Sequence, residues 1–116
     1  MLSNIYDSAY ELEKGIRDSE EFKSLKSAYE AVLNDPEAKE KFERFRDTQM
    51  QLQEKQMQGL EISTEEVESA RKVVEEVQQH AMITRLMQEE QRLNQVINDI
   101  SRIITKPLEE LYSNPS

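Results

Sequence analysis

Between Ser63 and Lys106 the chain contains neither glycine nor proline, and Pro107 closes the stretch. Ser63 is placed to cap a helix, Glu66 three residues on completes a capping box, and Ile62 and Val67 hold the two positions of a hydrophobic staple. The pattern predicts one helix over residues 63–106, about 60 Å long at 1.5 Å per residue, longer than a domain of this size encloses. Such a helix needs company beyond its own domain, or it protrudes. At about 100° per residue, Val67, Ala70, Val74, Val77 and Ala81 share one stripe, while Ile83, Leu86, Leu93, Ile97, Ile100 and Ile104 share another turned by roughly 140°. With no breaker between Ala81 and Ile83, the expectation is a continuous helix that changes neighbour near His80 to Thr84.

The remaining punctuation divides the chain into shorter helices. Ser3 or Asn4 can cap a first helix with Ile5, Ala9, Leu12 and Ile16 on one face, and Gly15 with Asp18 and Ser19 marks its end. Asp18 and Glu21 form an aspartate version of the capping box for a second helix, which carries Phe22, Leu25, Tyr29, Val32 and Leu33. Asp35 can cap a third helix with Pro36 in its first turn, and Gly59 supplies the left-handed residue at its end. The short link from Gly59 to Ile62 makes this third helix fold back along residues 64 to about 86. Pro107 should start a last short helix through Leu108, Leu111 and Tyr112, with residues 113–116 frayed.

These elements predict an all-α fold in a single domain, 1–116. A long antiparallel helical hairpin is joined by two shorter N-terminal helices and a short C-terminal one, at about 4–17, 19–34, 36–58, 63–106 and 107–112. Two glycines, three prolines and 34% charged residues fit this reading and disfavour a sheet. Long thin helices bury a small share of their surface, so association into an oligomeric bundle is expected to supply the deficit.

Composition excludes several functions. The net charge is −9 and no segment is basic, which disfavours direct nucleic-acid binding through phosphate contacts. Without cysteine there is no disulfide, thiolate nucleophile or cysteine-held cluster. The sequence shows no signal peptide, no apolar run near eighteen residues and no basic amphipathic helix, so a soluble cytoplasmic protein without membrane contact is expected.

Candidate chemistry is sparse. His80, the only histidine, lies four residues after Glu76, and the two can share a helix face; two ligands on one helix are not a metal site. Adjacent glutamates such as Glu65 and Glu66 point about 100° apart and cannot clasp one substrate. A lone histidine supports no Ser/His/Asp set, and two separated glycines support no phosphate loop. Glu90, within the apolar arc between Leu86 and Leu93, is read as a solvated arc edge, with a role in register as the alternative. The glutamine tract Gln49, Gln51, Gln53, Gln56 and Gln58 approaches the hairpin tip and is read as a solvated coiled-coil tip, with a partner surface using Met50, Met57, Leu60 and Ile62 as adaptable apolar contacts as the alternative.

Three stretches carry a family resemblance: Ser19 to Phe22 opening the second helix, Phe45 to Gly59 ending the third, and Lys106 to Tyr112. Together they resemble the YheA-like branch of the YlbF/YmcA family of small bacterial helical proteins. The resemblance implies an all-helical, cytoplasmic, oligomeric protein of Gram-positive bacteria, in a branch without an assigned activity. Better-studied relatives act as non-catalytic accessory proteins in complexes linked to competence, sporulation, biofilm formation and RNA processing. The cysteines associated with cluster binding in some of them are absent here, so the resemblance implies no cofactor.

The sequence thus predicts a non-enzymatic scaffold or adaptor, with no catalytic, cofactor or metal residues and an unidentified protein partner. It pairs with a second copy of itself, most simply as a homodimer, through Leu86, Leu93, Ile97, Ile100 and Ile104. A helical metal protein or enzyme using Glu76 and His80 is the rival expectation.

Overall fold

The computed structural model describes residues 4–113. Among them all regular structure is helical, in the order α1 (Ile5–Asp18), α2 (Glu20–Leu33), α3 (Pro36–Met57), α4 (Thr64–Gln78) and α5 (Ala81–Ser113). Two compact units share these elements: residues 4–25 with 88–113, and residues 26–87.

The second unit is built around the hairpin. Asp35 accepts from the backbone N–H of Glu37 and Ala38 at 3.0 and 3.2 Å, and Pro36 begins α3 where its missing N–H has no helical partner to lose. At the other end Gly59 takes φ 71°, so Leu60 N–H reaches Lys55 O at 2.9 Å and Gly59 N–H reaches Gln56 O at 3.2 Å. That pair of bonds is a Schellman motif, and it reverses the chain as the sequence predicts. Ser63 then opens α4 with the expected capping box: Glu66 N–H donates to Ser63 Oγ at 3.1 Å, and Ser63 N–H to Glu66 Oε1 at 3.2 Å. Ser63→Ala should cost about 1 kcal/mol in a denaturant titration.

Cross-links fix α3 and α4 as antiparallel. Arg44 pairs with Glu76 at 3.0 Å, and Lys55 pairs with Glu66, so advancing along one helix means retreating along the other. The core of this unit contains Ala28, Val32, Ala38, Phe42, Val77, Ile83 and Leu86. Small residues one turn from larger ones, Ala28 with Val32 and Ala38 with Phe42, let the helices approach closely. Tyr29 meets Phe42 edge to face at 6.4 Å, and the Arg46 guanidinium lies 5.7 Å from the centre of the same ring.

In the first unit, Asn4 caps α1 by accepting from Tyr6 N–H at 2.9 Å. Although α1 is strongly amphipathic, none of its residues is buried. Leu93 is buried, and every described residue of α5 from Ser101 onward is exposed.

Four local expectations are corrected. The helix predicted over 63–106 is interrupted at Gln79 and His80, because Val77 and Ile83 are both buried in the second unit and packing overrides a sequence without a breaker. Pro107 does not start a new helix but lies inside α5. The carbonyl its ring deprives of a donor belongs to Ile103, in an exposed stretch where water can serve it. Gly15 lies within α1, and Ser19, not Asp18, caps α2, accepting from Phe22 N–H at 3.2 Å. The expected fraying falls mostly on residues 114–116, outside the described residues.

Because proline inside a helix costs about 3 kcal/mol, Pro107→Ala should stabilise this end of α5 by up to that amount. Hydrogen exchange of the amides flanking position 107 would slow accordingly.

Candidate protein-interaction surface

The apolar stripe assigned to association divides into covered and uncovered parts. Leu86 and Leu93 are buried by their own chain, at 1% and 8% exposure, and are not free to meet a neighbour. Ile100 is half-buried, whereas Ile97 and Ile104 are exposed, Ile104 at 64%. Because α5 continues through Pro107, the exposed part runs on at helical spacing to Leu108 and Leu111, with Ile103 and Tyr112 alongside. Pro107 predicts a separate helix for Leu108 and Leu111, whereas the unbroken spacing from Ile97 is the signal that joins them to α5.

A second uncovered face lies on α1 in the same unit. Ile5, Tyr6, Tyr10 and Leu12 are exposed, Ile5 at 79%, and Ile16 is half-buried. Ala9, Leu12, Ile16 and Phe22 line an open groove of about 350 Å³, rimmed by Glu13 and Arg17, which pair at 3.0 Å. Large apolar side chains exposed at this density are the usual mark of a protein-interaction site.

The hairpin end offers a different surface. Met50, Met57 and Leu60 are exposed, Met57 at 80%, and Ile62 is half-buried. Seven residues separate Met50 from Met57, so both project from one side of α3. Nearby, Thr48, Gln51, Leu52, Ser63, Glu65, Glu66 and Ser69 line a mostly polar groove of about 330 Å³.

Glu66 is the one carboxylate in this region with a shifted ionisation. The Lys55 ammonium and the Ser63 backbone and hydroxyl hold it below the ordinary glutamate range. A carboxylate lowered on folding contributes stability above the unfolded glutamate value, and that stability is lost as pH falls through the folded one. Thermal melts of Glu66→Gln should therefore lie below those of the unmodified chain near neutrality and converge with them in acid.

Glu76 and His80 do not converge on a common site. Arg44 takes the Glu76 carboxylate and also pairs with Glu40 at 2.7 Å, and His80 Nδ1 is buried without a hydrogen-bond partner. No group of three His, Cys, Asp or Glu side chains among the described residues could hold a metal. Glu90 is exposed. No described helix is long and apolar enough to cross a membrane.

Comparison with known proteins places these surfaces in context. Residues 5–109 match the family described as control of competence regulator ComK, YlbF/YmcA. A UPF0342 protein of Oceanobacillus iheyensis is 66% identical over 111 residues, covering 96% of this chain and 95% of its own. The solved structure of yheA from Bacillus subtilis is 44% identical with a TM-score of 0.76, covering 95% of this chain and all of that one. Bacillus subtilis RicA, solved in complex with RicF, shares the fold at 19% identity with a TM-score of 0.68, over 91% of this chain and 94% of that one.

Proposed function

We propose, from the premise that this chain belongs to the YlbF/YmcA family, that it is a non-catalytic helical scaffold: it self-associates through its first unit and offers the hairpin end to a protein partner. One observation carries the reading. In the first unit α1 and the end of α5 each expose a row of large apolar side chains, Ile5, Tyr6 and Tyr10 on one, Ile104, Leu108 and Leu111 on the other.

An acidic surface with adaptable methionines at the hairpin end suits a protein partner better than a nucleic acid. The RicA structure with RicF supports the reading only as an example of this fold in a protein complex.

To test the two surfaces separately, a tagged copy is used as bait in lysate of the native host. The scaffold reading expects one partner in fixed proportion, lost in Met50→Glu with Met57→Glu and kept in Ile104→Glu. Recovery that ignores the methionine substitutions would reject the assignment of the hairpin end.

A further inference from the structure

The joint between α4 and α5 is unlike the other helix ends. Gln79 keeps a right-handed helical backbone at φ −85°, ψ −9°, and no glycine or proline lies between Ser63 and Pro107. Asn4, Ser19, Asp35 and Ser63 each supply a side-chain oxygen to the start of a helix. His80, in the corresponding place before α5, does not: its Nδ1 is buried and unpartnered. His80 N–H bends back to Val77 O and Thr84 N–H reaches His80 O, but Ala81, Met82 and Ile83 N–H find no backbone carbonyl. The carbonyls that a straight helix would offer them belong to Val77, Gln78 and Gln79.

Tertiary packing accounts for this bend. On a straight helix Val77 and Ile83 would point about 120° apart, and Val77 and Leu86 about 180° apart. All three are buried in the second unit, at 1% exposure or less, and only a bent chain brings them into one core. Straightening therefore gives Ala81, Met82 and Ile83 N–H backbone partners, in exchange for the bonds that Val77 O now accepts from Gln79 and His80 N–H and Gln78 O from the Thr84 hydroxyl, and it uncovers Ile83 and Leu86. The surface shaped to receive those two side chains is the core they left, and a second copy that has straightened presents the same vacancy.

We propose that this joint is the hinge of a domain exchange: residues 64–113 form one helix, and Ile83 and Leu86 of each copy enter the second unit of the other. Such an exchange re-forms the same contacts between copies and closes with two-fold symmetry. It uses a surface distinct from the apolar face of the first unit and does not depend on it.

A chain without cysteine accepts a clean pair of labels. Glu68 and Arg85 are exposed, and Glu68→Cys with Arg85→Cys places nitroxides on either side of the joint. Labelled protein is diluted into unlabelled protein, so that only distances within one chain report, then refolded at low and high concentration and separated by size. The exchange predicts that the oligomeric fraction contains a backbone separation near 26 Å, the rise of a straight helix over those positions, and that the monomer contains only a shorter one. The long distance should grow with concentration and vanish in Ala81→Pro. There the proline removes the N–H that Val77 O needs in a straight helix, yet sits where α5 begins and His80 before it is not helical.

Should circular dichroism show Ala81→Pro unfolded, Ala81→Gly, present at both joints of the exchanged pair, is expected to weaken the exchange about twentyfold. An oligomer holding only the short distance, a chain monomeric throughout, or a long distance indifferent to both substitutions overturns the hinge. In Ile104→Glu the long distance persists; its disappearance there would assign association to the first unit's face alone and also overturn it.

Discussion

Ile104→Glu weakens association through the first unit's apolar face about a thousandfold, and adding Ile97→Glu removes that contact at working concentrations. The magnitude follows from burial. Covering an exposed isoleucine contributes roughly 2 kcal/mol, and in a two-fold pairing each substitution is felt twice, giving about 4 kcal/mol before any charge is desolvated. Neither residue is in the core, since Ile104 is 64% and Ile97 40% exposed. The variants should therefore keep their helical circular dichroism and lose only mass by light scattering. A variant that unfolds would show that the face is covered within its own chain.

The second large effect is on folding. Ile83→Ala should destabilise the chain by about 2–5 kcal/mol, the range for deleting a fully buried branched side chain, because Ile83 is completely covered. Against a usual total of about 5–15 kcal/mol, that loss puts the variant near its folding threshold. A denaturant titration would show a lower midpoint with a similar slope. Leu33→Ala, at a position 38% exposed only one residue from fully buried Val32, should change the midpoint far less.

Much of the fold was legible because its punctuation is local. Asn4, Asp35 and Ser63 cap by short side chains that act within three residues, and Gly59 takes the positive φ that its place demands. The antiparallel hairpin followed from the shortness of its turn. What stayed hidden depends on packing. The interruption at Gln79 and His80 has no local signal, since it exists to bring Val77 into one core with Ile83 and Leu86. Helix continuity through Pro107 depends on exposure, which periodicity does not report.

The candidate surface was half legible for a similar reason. A stripe of Leu86, Leu93, Ile97, Ile100 and Ile104 records that one helix face avoids water, but not which neighbour shelters each turn. Two of its members are sheltered by their own chain, and the uncovered remainder extends to Leu108 and Leu111. The apolar face of α1 was visible as a pattern, yet only burial shows that nothing among the described residues encloses it.

Sedimentation equilibrium of the unmodified chain, across a hundredfold range of concentration, tests the scaffold reading most directly. Self-association through the first unit predicts a mass of at least twice 13.6 kDa that falls by half in Ile97→Glu with Ile104→Glu. A mass of 13.6 kDa at every concentration would contradict it.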